Sequence, residues 1–366
     1  DKKELETLIT NGIESTRYLA VDESRMLADP ARYYKGGKPD LQLFDKKLYE
    51  VNPDDKVAIA RAAAEEVLGK DERIISVDSS YSDGEGSSYR LISNGFEGES
   101  KSTWFSVSAS VSIKGEGEAR PQDYWYDSAL FYDKLTKTGI GAKALERVLR
   151  KLGQKKAKSG KYTMVVDPMN VGNLLSPMLS ALYGSALQQK NSFLMDKLDA
   201  KVASDLFTLR DEPHVIGANG SRYFDNEGVA TEPRTVFDKG VLKTYFIDTY
   251  NGKKMNMAPT ISTPSRLILA PGDKDLNGLV ADVKQGILVT GFNGGNSNSS
   301  TGDFSYGIEG FLIEDGKLTQ PVNEMNVTGN MVALWNSLVA VGNDPQPNRS
   351  WQIPSLVFEG VDFSGL

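Results

Sequence analysis

The stretch KSTWFSVSASVSIKGEG, residues 101–117, decides the fold class of this chain. Val107, Ala109, Val111 and Ile113 alternate strictly with serines. A period of two residues is typical of a strand with one buried face and one solvated face, which is the usual pattern in antiparallel sheets. The stretch therefore predicts a strand of an antiparallel sheet that is covered on one side.

The segments around this strand predict a helix–meander–helix unit. Asn94-Gly95 supplies a turn between the strand and the apolar run before it. Apolar residues spaced by three and four predict amphipathic helices on both sides of the strands. The predicted elements are helices over 54–70 and 139–153 and strands over 72–84, 87–95 and 123–132. The polar run QKKAKSGK at 154–161 then predicts a linker between domains.

Beyond this linker the sequence favours β-structure. Turn signals separate strands over 265–272, 286–292 and 354–363, hairpins over 235–248 and 304–322, and helices over 275–285 and 330–341. The fold class is therefore predicted as α+β with mainly antiparallel sheets. The predicted domains are a connector at 29–53, a middle α+β domain at 54–153 and a β-rich C-terminal domain at 161–366.

Two further segments predict helices with apolar faces. The first spans 1–20 and is expected to turn Leu5, Leu8, Ile9, Ile13 and Tyr18 inward. The second is a long helix after a short strand at 164–166, with Asn173 as its cap and Pro177 in its first turn. Its predicted buried face carries Leu175, Met178, Leu179, Leu182 and Ala186. The start of this helix offers no side chain suited to catalysis.

Composition excludes several classes of function. The chain has 366 residues, a net charge of −7, one histidine and no cysteine. Without cysteine there is no disulfide, thiol nucleophile or iron–sulfur cluster. The acidic balance argues against direct nucleic-acid binding, which needs clustered Lys and Arg. No run of 18 apolar residues predicts a membrane helix, so the expected location is the cytoplasm.

The side chains available for chemistry are few. His214 is the single imidazole, and zinc sites usually take at least two His or Cys ligands. An oxygen-ligated Mg²⁺ or Ca²⁺ remains open, with Asp225, Glu227 and Asp303 as candidates. The DNEG stretch at 225–228 favours a turn over a calcium loop because it lacks repeated acidic spacing. No catalytic residue is assigned.

The segment GFNGGNSNSSTGDFSYGIEGFLIEDG at 291–316 combines glycines with uncharged hydrogen-bonding side chains. It predicts either a long mobile loop or a groove in which an extended peptide pairs with backbone groups. The composition does not separate these two interpretations. The residues of the candidate groove are Gly294, Gly295, Asn296, Asn298, Thr301 and Asp303.

Three stretches together resemble the TldD/PmbA family, some of whose members are called modulators of DNA gyrase. They are VDPMNVGNLLSP, RTVFDKGVLKTYFIDTYNGKKMN and GFNGGNSNSSTGDFSYGIEGFLIEDGKLTQPVNEMNVTGN. The resemblance covers nearly the whole chain and favours the PmbA branch, also called TldE. It also implies a further N-terminal portion in the family, so residues 1–28 are expected to be the tail of a truncated N-terminal domain.

The resemblance assigns the chemistry to another subunit. In the family, TldD carries a His-Glu-x-x-x-His motif that supplies zinc ligands and a catalytic carboxylate. The corresponding positions here are Ser176, Pro177 and Ala181. The family's cysteine ligand, expected near 345–354, is also missing. The resemblance therefore implies that this chain binds no metal and that a TldD-like partner holds the zinc.

The function implied by this resemblance is that of a non-catalytic subunit of a heterodimeric metalloprotease. Such a subunit shapes the cavity that receives unfolded peptides and is inactive alone. Two alternatives remain open: an autonomous hydrolase with an oxygen-ligated metal, and a non-enzymatic binding protein that forms a homodimer.

Overall fold

A computed structural model describes residues 1–366 as eight α-helices and fourteen β-strands in three sheets. The helices are α1 Lys2–Thr16, α2 Pro53–Glu65, α3 Ile140–Leu149, α4 Gly172–Ser180, α5 Gly184–Gln188, α6 Thr249–Met255, α7 Leu276–Ala281 and α8 Met331–Asn336. The strands are β1 Ile74–Ile92, β2 Phe96–Ile113, β3 Gln122–Ala129, β4 Gly160–Val166, β5 Leu209–Asp211, β6 Arg234–Asp238, β7 Val241–Leu242, β8 Leu267–Leu269, β9 Gln285–Ser297, β10 Asp303–Glu314, β11 Lys317–Asn330, β12 Leu338–Val341, β13 Trp351–Gln352 and β14 Leu356–Ser364. None of the helices combines the length and hydropathy needed to cross a bilayer.

The first sheet is the predicted antiparallel meander in the order β1-β2-β3. The alternating apolar residues of β2 are buried and form a core of 13 residues with side chains from α2 and α3. β1 is one strand of 19 residues, whereas the sequence predicted two separate runs. β3 pairs only with residues 105–112, so 84–92 and 96–104 extend beyond it as a two-stranded ribbon.

The C-terminal part contains the other two sheets and the main core of 46 buried residues. One sheet has the order β11-β10-β9-β4-β14-β12, and β14 also pairs with β11. This extra pairing closes β4, β9, β10, β11 and β14 into a ring. The other sheet has the order β13-β8-β5-β6-β7. The predicted α+β class with mainly antiparallel sheets and a β-rich C-terminal region is confirmed.

Local sequence signals placed the hairpin turns correctly. Asp315 and Gly316 both have positive φ, 46° and 74°, which is the requirement of the two-residue turn that joins β10 and β11. Lys239 and Gly240, with φ of 47° and 73°, do the same between β6 and β7. The predicted helix over 330–341 is wrong in its second half, because residues 338–341 pair with β14 as β12.

The prediction that the first helix turns its apolar face inward is wrong. α1 forms with a capping box, in which Asp1 accepts from the Glu4 backbone and Glu4 reaches back to the backbone of Asp1. However, Leu5, Leu8, Ile9, Ile13 and Tyr18 are each more than half exposed, and α1 buries no residue. The spacing of the apolar residues correctly predicted a helix, but no other part of the chain covers the apolar face of this helix.

A buried ionic cluster joins the meander to the C-terminal part. Lys151 Nζ lies 2.7 Å from Glu309 Oε1 on β10 and 3.2 Å from Asp123 Oδ2 on β3. Arg147 Nε on α3 adds a bond of 3.2 Å to Asp123 Oδ1. These largely buried side chains thus link α3 and β3 of the meander to β10 of the C-terminal part.

Candidate functional site

The turn that leads into α4 is built around a buried carboxylate. Asp167 follows the buried end of β4, and its Oδ1 accepts from the backbone N of Asn170 at 3.0 Å and from Asn170 Nδ2 at 2.7 Å. Asn170 Nδ2 also donates to Thr290 O on β9. Burial raises the pKa of Asp167 to about 6. The sequence analysis missed this residue, although a charge placed directly after an apolar strand was a visible signal.

The predicted cap and length of the helix after this turn are wrong. Val171 precedes α4 without a side-chain cap, and Asn173 lies inside the helix. Pro177 is the sixth helical residue and not part of the first turn. α4 ends at Ser180, and α5 begins separately at Gly184. Ala186 is therefore not on the face of α4.

Pairing with a distant segment interrupts the helix. Tyr183 forms a parallel bridge with Phe246, in which Gly184 N donates to Phe246 O at 2.8 Å and Phe246 N donates to Leu182 O at 2.9 Å. These bonds occupy backbone N–H and C=O groups that would otherwise form the hydrogen bonds of a continuous helix. A Cβ on Gly184 would lie 3.0 Å from Asn251 Cβ, so the close approach also favours glycine.

The three motif positions on and after α4 offer no ligand set for zinc. Ser176 is exposed, Pro177 is half-buried and Ala181 is buried. Proline and alanine side chains carry no metal-ligating atom, and a serine hydroxyl is not a usual zinc ligand. No group of three or more His, Cys, Asp or Glu side chains in the chain has the geometry to hold a metal ion.

The other titratable candidates serve in local structure. His214 Nε2 lies 3.0 Å from Thr231 Oγ1, and burial lowers the pKa of its imidazole. Asp225 accepts from the backbone N of Val229 and of Ser262, which confirms the predicted turn at 225–228. Glu227 Oε2 accepts from Thr249 N and Oγ1, and burial raises the pKa of this carboxyl.

The Gly/Asn/Ser segment at 291–316 is an ordered hairpin and not a long loop. It contains most of β9 and β10, joined by residues 298–302. Asn298 Oδ1 accepts from Ser300 N and Thr301 N, while Asp303 accepts from Thr301 Oγ1 and Asn330 Nδ2. These bonds to Asp303 lower the pKa of its carboxyl.

The candidate groove residues lie on this hairpin, whose tip bonds to the segment after α5 through Phe193 N and Ser299 O. Gly294 and Gly295 have φ of 74° and 94°, and a Cβ on Gly295 would lie 2.1 Å from Ser305 O. β9 pairs with β4 only through residues 286–289, so 291–297, which include Asn296, pair with β10 alone. The other edge of β9 thus carries unpaired backbone groups next to the turn into α4. Peptide binding at this edge stays a prediction.

Comparison with known proteins identifies the class. The PmbA/TldA metallopeptidase central domain matches residues 46–152, and the PmbA/TldA metallopeptidase C-terminal domain matches residues 159–365. The chain belongs to this PmbA/TldD family, as its sequence motifs predicted.

Individual relatives agree with the PmbA/TldE branch. The chain is 29% identical to a metalloprotease PmbA homolog of Haemophilus influenzae over 98% of this chain and 81% of that protein. It is 27% identical to metalloprotease PmbA of Escherichia coli O157:H7, over 96% and 78%. A crystal structure from Bacteroides thetaiotaomicron, of a protein named as a modulator of DNA gyrase, matches with 73% identity and a TM-score of 0.99 over 100% of this chain and 84% of that one. TldE from Thermococcus kodakarensis, at 22% identity over 100% and 85%, shares the fold with a TM-score of 0.81.

Proposed function

We propose that this chain is the non-catalytic subunit of a heterodimeric TldD/TldE-type metalloprotease. The observation that carries the proposal is the set of motif positions on and just after α4, which hold Ser176, Pro177 and Ala181 and so lack any ligand for zinc. The scaffold of a metallopeptidase family is kept while the metal-binding side chains are absent. The zinc and the catalytic carboxylate then belong to a TldD-like partner in the cytoplasm.

The open edge of β9 supports a role in shaping the substrate cavity. The unpaired backbone groups of residues 291–297 follow Thr290, whose carbonyl oxygen accepts from Asn170 in the turn into α4, and there is open space around a Cβ at Gly294. An extended peptide that pairs with a strand edge is bound mainly through its main chain, so binding tolerates many sequences. Such a surface suits unfolded peptides that are degraded or matured by the partner.

The test compares this chain alone, a TldD-like protein from the same cell alone, and the two mixed. We expect a one-to-one complex, zinc on the partner, and cleavage of an unfolded peptide that is lost when the partner's motif glutamate is replaced by glutamine. Ser176→Ala in this chain is the matched variant and should leave cleavage unchanged. Cleavage by this chain alone, or recovery of homodimers only, would overturn the proposal.

A further inference from the structure

A narrow slot separates the ribbon from the loop at residues 219–226. It consists of cavities of about 340 Å³ and 840 Å³ that share Leu43, Ser221 and Arg222. At one end the buried ring of Phe96 packs at 5.1 Å from the ring of Phe224. At the other end the ribbon bonds to the connector through Thr103 N and Leu43 O. Arg90 Nη1 on the ribbon also donates to Asn226 O of the loop at 2.6 Å, near the Phe224 end.

One guanidinium in this slot has no acidic partner. Arg222 Nε donates to Ser265 Oγ at 2.9 Å, and Nη2 donates to Thr263 O at 2.7 Å. Its Nη1 makes no hydrogen bond within the chain, and no carboxylate forms a salt bridge with this side chain. Burial lowers the pKa of Arg222, because the charged form is costly away from water. Arg222 lines both cavities of the slot.

Nearby acids are already engaged in local structure. Asp211 Oδ1 accepts from the backbone N of Ser265 and of Arg266, both at 2.9 Å. Asp225 accepts from Val229 N and Ser262 N. Neither carboxylate lies within salt-bridge distance of Arg222, so neither neutralises its charge directly.

Two more arginines add positive charge behind the loop. Arg266 Nη1 donates to Asn219 O at 2.9 Å and to Arg349 O at 2.8 Å, while its buried Nε has no partner. Arg349 lies over the ring of Tyr126 at 4.8 Å. Neither forms a salt bridge. These three part-buried guanidinium groups have no salt-bridge partner, and they outnumber the two nearby carboxylates, Asp211 and Asp225.

We propose that the slot binds a carboxylate of an extended peptide, with Arg222 Nη1 as its charged donor. The hydroxyls of Ser102 and Ser350 line the same cavity and are free of other hydrogen bonds, so both can donate to the bound oxygens. The larger cavity gives room for the rest of the peptide; besides the rings of Tyr34, Tyr223 and Phe224, it is lined by acidic and basic residues in similar number. The choice of a peptide as the source of the carboxylate rests on the proposed function, whereas the anion site itself does not.

The carboxylate can come from the peptide C-terminus or from an acidic side chain, and the experiment separates the two. Fluorescence anisotropy measures binding of labelled peptides to the isolated protein. One peptide has a free C-terminus, one is amidated but contains glutamate, and one is amidated with glutamine in place of glutamate. We expect at least one carboxylate peptide to bind about tenfold or more tightly than the peptide without a carboxylate.

Arg222→Gln should remove this preference. Arg210→Gln is the matched control, since Arg210 is exposed on β5 and pairs with Glu212. Equal affinities for all three peptides would overturn the proposal. So would an unchanged preference in a folded Arg222→Gln protein.

A second variant covers the possibility that Arg222 is needed for folding. Ser102→Asp places a carboxylate inside the slot, where it should occupy the anion site. We expect loss of the preference for carboxylate peptides with no fall in melting temperature, and an unchanged preference would overturn the proposal. No partner subunit or metal takes part in these measurements. If no heterodimer forms, the result of the peptide-binding measurement therefore still stands. If a heterodimer cleaves peptides but shows no preference for peptides with a carboxylate, only the proposal about the slot is rejected.

Discussion

Helices α1 and α4 differ in how they are formed and in what they bury. α1 has 15 residues and a complete capping box, yet all its large apolar side chains are exposed. α4 has nine residues, no side-chain cap and an internal proline. Nevertheless Leu174, Leu175, Met178 and Leu179 are almost completely buried. Local signals are thus sufficient to form α1, whereas α4 forms with weak local signals because its apolar face is buried in the main core.

The largest expected contrast comes from removing one leucine from each helix. Leu175→Ala should lower the free energy of unfolding by about 2–5 kcal/mol, because it leaves a cavity in the main core. Leu8→Ala, the matched variant in α1, should change it by less than about 0.5 kcal/mol. Chemical denaturation followed by tryptophan fluorescence gives both values. Equal losses would mean that α1 is covered in solution.

Helix α3 extends the comparison to a glycine in close contact. A Cβ at Gly141 would lie 1.9 Å from Ala63 O on α2. Gly141→Ala should therefore cost about 1–3 kcal/mol, despite the better helix propensity of alanine. Hydrogen exchange of α2 and α3 amides would report the loss. Unchanged protection would show that the two helices can separate without cost.

The turn into α4 predicts a pH dependence. The pKa of Asp167 is about 6 in the folded chain, above the value near 4 of an unfolded aspartate. The folded state binds this proton more tightly, so the contribution to stability is present below pH ~4 and is lost as pH rises through ~6. Asp167→Asn should be more stable than the parent at pH 7 by about 1–3 kcal/mol, with little difference at pH 4.

Denaturation of both proteins across this pH range measures the effect. Asp199→Asn, at an exposed site paired with Lys243, is the control and should follow the parent curve. A constant difference between Asp167→Asn and the parent at every pH would contradict the assignment.

The smallest expected effect lies in α1. Nothing is within 4 Å of a Cβ built on Gly12. Gly12→Ala should stabilise this helix by up to about 1 kcal/mol and leave the global unfolding transition unchanged. Hydrogen exchange restricted to α1 detects the change. A loss of protection would indicate that a neighbour packs against Gly12 in solution.

The fold was predictable wherever one short segment carried the whole signal. The alternation in β2 and the Asp315-Gly316 turn needed no information from distant residues. The break between α4 and α5 was not predictable, because it depends on Phe246, far along the chain. Distant pairing likewise made β12 from a segment with helical spacing.

The candidate site, like the fold, was predictable from the sequence in one part and not in another. Motif resemblance identified Ser176, Pro177 and Ala181. These residues are informative only because TldD is expected to carry its His-Glu-x-x-x-His motif at the corresponding positions. The slot at Arg222 was missed because its lining comes from segments near 43, 102, 222, 265 and 350. Only folding brings these segments together. The absence of an acidic partner for Arg222 can be recognised only when its burial and hydrogen bonds are known.

The ring closed by β14 has a consequence for biosynthesis. β14 pairs residues 356–363 with 160–166 and residues 362–364 with 326–328. While the chain emerges from the ribosome, β4 and β11 therefore keep open edges until residues 356–364 are available. Completing these pairs requires closure over about two hundred residues, a slow step for non-local sheets. The nascent chain is consequently most exposed to aggregation just before this strand is added.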